Sequence, residues 1–512
     1  MGDAFARVPS LAAQHLLVAM AALALAVAIA LPLGILGARR PLLGRAVLGV
    51  ASLVQTIPGL ALLALFYPVL LWVSSLGLWE VPALGFLPAL LALTLYALLP
   101  IVRNLVTGLA GLDPAVREAA DGIGMTARQK LRLVEAPLVL PVVMAGIRTA
   151  AVWTIGAATL STTVGQPSLG DLIFAGLQTQ NWALVVAGCV SAAALALGVD
   201  ATLALAEAGV ARRRPALAWG ALGLLAAASL AAGVPLLAPL LSGGRPIAVV
   251  GAKNFSEQYI LARLIGARLE QAGYRVEYRD GLGSAVAFNA VARGDVDVAI
   301  DYAGTIWAGE MKRTEVLPAA AQVRAIAAWE RRARGVTLLG TLGFENAYAF
   351  AMKESVAQAK GIASLDDLAR AAPGLKLGTD LEFLDRAEWR AVRDAYGLRF
   401  AGATPYAPTF MYRALQNGRA DVITAFSSDG RIAADRLRVL TDPRHAVPGY
   451  DAILNLSPRA AKDARFVAAL RPLVDRIPVA AMREANYRVD RDDAKKTTPE
   501  VAAAWLAKRV GL

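Results

Sequence analysis

Asp113-Pro114-Ala115-Val116-Arg117-Glu118-Ala119-Ala120-Asp121-Gly122-Ile123-Gly124 is a short polar island between long apolar stretches, and how it is read decides the fold. Asp before Pro predicts a helix start: the Asp side chain can accept a free backbone N–H, and proline at the first helical position gives up no hydrogen bond. Gly122 or Gly124 closes that helix, and a second one runs on toward Val134-Glu135-Ala136-Pro137. The expectation is a helix, a glycine turn and a second helix lying along one face of a membrane.

Outward from the island, apolar runs fall near 15–37, 46–73, 87–109, 138–162, 183–207 and 216–241. A hydrocarbon core needs about 20 apolar residues per helix, so six spans are expected. The first run is too long for a secretory leader, and no small-residue cleavage site precedes the next apolar segment, so it is expected to remain. Pro58, Pro68 and Pro100 are expected to kink their helices, which membranes tolerate where other groups take up the freed carbonyls. Residues 1–214 carry 13 Lys+Arg and 9 Asp+Glu, against 39 and 31 in residues 245–512, so the back half reads as water-facing.

Lys and Arg are absent from Ala46 to Val102, from Thr149 to Ala211 and from Pro215 to Gly244. They gather instead at Arg39, Arg40 and Arg45, from Arg103 to Arg148, and at Arg212, Arg213 and Arg214, after spans one, three and five. Basic flanks stay in the cytoplasm, so one topology fits all three clusters: N-terminus outside, three basic loops inside, residues 245–512 outside. The net charge of +12 forms no stripe of interleaved basic and aromatic residues, so no nucleic-acid role is expected. The single cysteine, Cys189, lies in an apolar run and reads as a small buried side chain without disulfide, metal or thiol chemistry. His15 and His445 are the only histidines, and zinc spacing, a nucleophile elbow and a phosphate loop are all missing, so neither an enzyme nor a metal or cofactor site is expected.

The island, with Glu118, Ala119, Ala120 and Gly124, resembles the Glu-Ala-Ala loop of ABC importer permeases; Val134 and Ala136 replace the Ile and Leu of its Ile-x-Leu-Pro element. The resemblance implies that these four residues couple the membrane subunit to an ATPase on another polypeptide. Gln55-Thr56-Ile57-Pro58-Gly59, Leu98-Leu99-Pro100-Ile101-Val102-Arg103-Asn104 and Ala145-Gly146-Ile147-Arg148-Thr149-Ala150 extend it to permeases of osmoprotectant importers. Where that family usually has Gly-Ala-Gly-Gly-Leu-Gly, this chain has Gly165-Gln166-Pro167-Ser168-Leu169-Gly170.

From Arg245 short β runs alternate with amphipathic helices: 246–251, a helix near 257–272, Tyr274 to Tyr278, a helix near 283–293, then Asp295-Val296-Asp297-Val298-Ala299-Ile300. Such alternation predicts α/β lobes with ligand groups at strand ends. The domain plan is a permease over 1–214 with its coupling loop at 113–137, a last span and linker over 215–244, and a binding domain over 245–512. Its first lobe takes about 245–347 and 453–512, its second about 348–452. Ala252-Lys253-Asn254-Phe255-Ser256-Glu257-Gln258, Ile300-Asp301-Tyr302-Ala303-Gly304-Thr305, Gly343-Phe344-Glu345-Asn346-Ala347-Tyr348, Thr379 to Ala387, and Phe426-Ser427-Ser428-Asp429-Gly430-Arg431 resemble substrate-binding proteins of the same importers. That implies a two-lobed periplasmic-binding-protein fold of type II.

A quaternary ammonium has no proton to give, so a pocket holds it with aromatic faces, each contributing about 0.5–2 kcal/mol. By resemblance Tyr302 and Tyr348 match cage tyrosines and Thr305 and Asn346 match polar contacts; Phe383 and Phe426 add rings, the latter where choline and betaine receptors commonly have tyrosine. Phe255, Asp385, Ser427 and Asp429 stand in the same motifs. Arg386 is expected either to clamp a carboxylate or to pair with Asp385 or Asp380. Asn254 and Gln258 open a helix that either helps hold an anion or is simply capped by Asn254 or Ser256.

The reading is a membrane permease with a fused receptor, importing glycine betaine, choline or carnitine, or alternatively ergothioneine, which the Thr379–Ala387 stretch also resembles. Two copies of the chain, two ATPase subunits and the lipid bilayer of a bacterial inner membrane are its expected partners. A membrane-anchored solute sensor is the rival, and it needs neither six spans nor a coupling loop. In intact cells, protease or thiol labelling is expected to find residues 120 and 300 on opposite sides of the membrane; finding both on one side would end this topology.

Overall fold

The computed structural model describes every residue except 1–4, 6, 77–80, 179–180, 242–244, 314, 316, 445, 448 and 492–495. His445 and the end of the linker at 242–244 therefore lie outside the described residues. The chain forms two compact units, residues 1–173 with 183–244 and residues 174–182 with 245–512.

In the first unit, five helices among the described residues are long and apolar enough to cross a membrane: Val8–Arg39, Phe86–Ala110, Ala127–Val164, Trp182–Ala211 and Pro215–Val234. The run expected as one span at 46–73 is instead the pair Pro41–Thr56 and Gly59–Ser75, bent by 103° at the break. Pro58 is the cause, since its ring pushes Ile57 out of helical geometry to ψ 125°. The Tyr96 hydroxyl donates to the Ile57 carbonyl at that break. Pro68 and Pro100 stay inside unbroken helices. Proline leaves the carbonyl four residues back without its N–H, and for Pro100 that carbonyl, on Tyr96, accepts from Gln55 Nε2 at 3.4 Å.

Small residues bring these helices close. A Cβ on Gly146 would lie 2.8 Å from the Pro100 carbonyl oxygen, the kind of backbone approach that membrane helices use in place of a hydrophobic drive. Arg148 makes a paired contact with Asp200 at 2.9 and 3.0 Å and reaches Glu207 at 2.9 Å, so this cation within the helices is paired with two carboxylates. His15 is fully buried, its Nε2 at 2.8 Å from the Ile155 carbonyl and its Nδ1 accepting from Leu169 N–H at 3.3 Å. Both ring nitrogens are occupied by backbone, which ties the first helix to the Gly165–Gly170 loop. Cys189 is exposed on its helix rather than buried, so its surroundings are those of an outward face.

The second unit carries two five-stranded mixed sheets. The first has β1 (Ile247–Lys253), β2 (Arg275–Leu282), β3 (Val298–Tyr302), β4 (Thr337–Glu345) and β10 (Asp451–Leu456) in the order β2-β1-β3-β10-β4. The second has β5 (Tyr348–Lys353), β6 (Lys376–Thr379), β7 (Gly402–Pro405), β8 (Val422–Phe426) and β9 (Leu437–Val439) in the order β7-β6-β8-β5-β9. The chain passes from one sheet to the other at 346–347 and back at 440–450. The two passages meet where Asn346 N–H donates to the Tyr450 carbonyl at 3.0 Å. Helix Val479–Asp490 adds a further tie to the second sheet: Arg483 donates to Ser427 O at 2.8 Å and Asn486 to Ser428 O at 3.0 Å.

Glu330, fully buried on helix Ala319–Arg334, takes a 2.8 Å bond from Asn455 Nδ2, yet burial pushes its carboxyl up to about 8. A folded-state value above the unfolded one means the native state holds a proton that the unfolded chain has released. This stabilisation is complete below about pH 4.5 and is lost as the pH rises to about 8. Glu330→Gln is expected to remove a loss of roughly 2–4 kcal/mol across that window; thermal unfolding of parent and variant at both ends checks it.

Candidate functional site

A cleft of about 110 Å³ opens where strands of both sheets end, lined by Lys253, Asn254, Phe255, Ser284, Tyr302, Thr305, Asn346, Tyr348, Asp380, Leu381, Glu382, Arg386, Phe426 and Tyr450. Tyr302 and Phe426 close β3 and β8, Tyr348 opens β5, and Asn346 and Tyr450 sit in the two inter-sheet passages. The fold therefore brings together eight of the residues singled out in the sequence: Asn254, Phe255, Tyr302, Thr305, Asn346, Tyr348, Arg386 and Phe426.

The rings form a box. Phe255 and Phe426 lie nearly parallel at 6.3 Å, Phe255 and Tyr302 stack at 6.2 Å, Tyr348 is 5.2 Å from Phe426, and Tyr450 meets Tyr348 edge-on at 5.8 Å. The hydroxyls are committed elsewhere. Tyr302 donates to Glu257 Oε1 at 2.6 Å and accepts from Gln258 Nε2 at 2.9 Å, and Tyr450 donates to Glu388. Burial raises the Tyr302 and Tyr348 hydroxyls well above their ordinary value, with Glu257 and Asp380 as like-charge contributors, so both rings stay neutral.

Three predicted site residues stand just outside the cleft. Gln258 is buried behind Tyr302 and steers it, and Phe383 is fully buried 4.8 Å behind Tyr348. Asp385 lines a broader adjoining cavity that shares Ser284, Thr305, Glu382 and Arg386 with the cleft. Ser427 and Asp429 hold the frame: Ser427 Oγ accepts from Ala347 N–H at 2.9 Å, and Asp429 pairs with Arg431 at 2.6 Å. Asp429 lines a smaller cavity with Phe255, Glu257, Phe426 and Asp490.

Arg386 faces the cleft. It pairs with Glu382 at 2.9 Å and Glu388 at 3.4 Å, not with Asp385 or Asp380, and its Nη2 donates to Thr305 Oγ1 at 3.3 Å. The correction is geometric: Glu382 is one helical turn before Arg386 and Glu388 two residues after it. Its guanidinium carbon lies 5.5 Å from the Tyr348 ring centre. Neither Asn254 nor Ser256 caps the helix Ser256–Gln271; Phe255 occupies the cap position without a side-chain bond, and Ser256 Oγ donates to Asp490 at 2.5 Å. Sequence reasoning missed Lys253, Ser284, Asp380, Leu381, Glu382, Tyr450 and the buried Glu257. Asp380 and Glu382 lay inside a quoted motif; Tyr450 lay in none. Glu257 collects Tyr302, Asn346 (3.1 Å) and Asn486 (2.9 Å), and burial raises its carboxyl although these bonds oppose the shift.

At the other candidate site, Asp113 accepts from Ala115 N–H at 2.9 Å to start helix Pro114–Gly122, and Gly124 takes a left-handed φ of 80°. Glu118, Ala119 and Gly124 are exposed, whereas Ala120 faces inward.

Residues 248–508 match the substrate binding domain of ABC-type glycine betaine transport systems, and residues 30–212 match the inner membrane component of binding-protein-dependent transport systems. The chain belongs to the family of ABC importer permeases fused to a glycine-betaine-type substrate-binding domain, and is a multi-pass transporter subunit rather than an enzyme. It is 28% identical over 487 residues to the ergothioneine transport permease/ergothioneine binding protein EgtU of Helicobacter pylori, spanning 91% of this chain and 83% of that one. It is 39% identical over 194 residues, 38% of this chain, to the choline transport system permease OpuBB of Bacillus subtilis, covering 84% of it. A solved glycine betaine/carnitine/choline ABC transporter structure aligns over 51% of this chain and 98% of its own, at 25% identity and a TM-score of 0.45.

A Cβ on Gly304 would fall 2.4 to 2.6 Å from the Tyr450 ring, which is only 2% exposed and has nowhere to retreat. Gly304→Ala is expected to destabilise the binding unit by about 1–3 kcal/mol, read as a lowered Tm, and Tyr450→Leu in the same background to recover part of it.

Proposed function

We propose that this chain, with its permease over 1–214, last span and linker over 215–244 and receptor over 245–512, is half of a translocation path formed by two copies. Two separate ATPase subunits dock at the cytoplasmic 113–137 loops. The receptor faces the opposite side of a bacterial inner membrane, where it closes on a zwitterionic trimethylammonium solute.

One observation carries the solute class: Arg386 lines a cleft together with five aromatic residues, Phe255, Tyr302, Tyr348, Phe426 and Tyr450, beside Lys253, Asp380 and Glu382. The faces suit a permanent cation and the guanidinium suits a carboxylate on the same molecule. A bare cation such as choline gains nothing from Arg386 and is repelled by it.

Among betaines, ergothioneine is favoured over glycine betaine. Asn346 lines the cleft and its Oδ1 is buried with no hydrogen-bond donor on it, and a buried acceptor left unpaired costs about 1–3 kcal/mol. Ergothioneine has a ring N–H to give, whereas glycine betaine has no donor. The adjoining cavity beyond Arg386 leaves room for a longer solute, and the Helicobacter pylori relative of the same two-part build is named for ergothioneine.

Calorimetry on the purified full chain is expected to rank ergothioneine first, carnitine and glycine betaine next and choline last. Tyr302→Ala and Tyr348→Ala are each expected to weaken the preferred solute at least about tenfold. Choline binding tightest would remove Arg386 from the pocket's logic, and undiminished affinity in both tyrosine variants would remove the cage.

A further inference from the structure

The cytoplasmic loop contains one buried acid, Glu135, which is only 8% exposed. It ends the π-helical turn Leu131–Glu135, where helix Ala127–Lys130 runs into the long helix Ala136–Ala158. Such turns carry one extra residue, re-aim side chains, and recur at functional positions.

Two guanidinium groups from different segments converge on this carboxylate. Arg117 Nε lies 3.8 Å from Oε1 and Arg39 Nη2 3.9 Å from Oε2. Arg117 belongs to helix Pro114–Gly122 and also donates through Nη2 to the Leu109 carbonyl, in the last turn of helix Phe86–Ala110. Arg39 is the last residue of helix Val8–Arg39 and donates to the Ala127 carbonyl at 3.4 Å. Glu135 is thus the shared anion between the short loop helix and the cytoplasmic ends of three membrane-crossing helices. Across the glycine turn, Lys130 holds Asp121 at 2.7 Å, while Glu118 and Ile123 project outward with no such tie.

We infer that Glu135 is a positioning residue of the transport cycle, through which movement of the 114–122 helix is passed to the first, third and fourth crossing helices. This rests on the reading of that loop as the ATPase dock. The two ion pairs are too long to be hydrogen bonds, so they act through charge. Burial of the carboxylate protects part of that attraction from screening, while the Arg39 and Arg117 side chains keep 45% and 36% of their surface exposed. A neutral side chain of the same shape should therefore loosen the joint without opening a hole.

The test co-expresses the full chain with an ABC importer ATPase subunit that co-purifies with it and reconstitutes the complex in proteoliposomes, with ergothioneine and glycine betaine as separate probes. For Glu135→Gln, solute-stimulated ATP hydrolysis and uptake are expected to fall at least about tenfold. The Kd for the probe and the amount of co-purified ATPase are expected to stay at parent values. Glu135→Asp, which restores the charge, is expected to recover a substantial part. Parent-level stimulation in Glu135→Gln, or a loss explained by absent ATPase in the purified complex, overturns the inference. A parent chain without any solute-stimulated hydrolysis overturns the transport reading itself, and this inference with it.

Discussion

Hydrocarbon offers no partner to a charge or a bare amide, and the membrane unit is organised around that constraint. Arg148, in the middle of its helix, is matched at once by Asp200 and Glu207. The one histidine buried among the helices, His15, spends both nitrogens on backbone groups. The Ile57 carbonyl at the Pro58 break is met by the Tyr96 hydroxyl, and the Tyr96 carbonyl freed by Pro100 is met by Gln55. Arg148, His15, Tyr96 and Gln55 each satisfy another group, so these residues read as glue between helices.

The binding unit meets the same physics differently. It buries carboxylates on purpose, Glu257 behind the cleft and Glu330 beneath the first sheet, and holds them with amide side chains. Glu257 fixes Tyr302 and takes a hydrogen bond from the Asn346 amide nitrogen. The orientation of Tyr302 and Asn346 is therefore fixed one layer below the rings, by a buried carboxylate.

Much of this was legible in the sequence because it follows from period and charge. Runs of apolar residues, the basic flanks, and the Asp113-Pro114 start with its glycine close need only local rules. The break at Ile57–Pro58 was only half legible: proline signals a kink, but neither the 103° size of the bend nor the tyrosine 39 residues later that meets the Ile57 carbonyl follows from the local run. The cleft followed from motifs at strand ends, which carry side chains to one rim whatever the sheet order. Tyr450 escaped notice because its place depends on the return passage lying beside Asn346, a pairing 104 residues apart in sequence. Arg386 was recognised, but its partners Glu382 and Glu388 depend on how a short turn winds between β6 and helix Ala387–Tyr396.

If the receptor closes as proposed, by swinging its sheets about the two passages between them, the backbone bond from Asn346 to Tyr450 makes pivot and palm the same residues. A clamp whose axle is also part of its grip cannot flex without altering what it holds, so a guest is weighed by the swing of the jaws as well as by its fit. A molecule that touches only one jaw leaves the axle unloaded, however snugly it sits there.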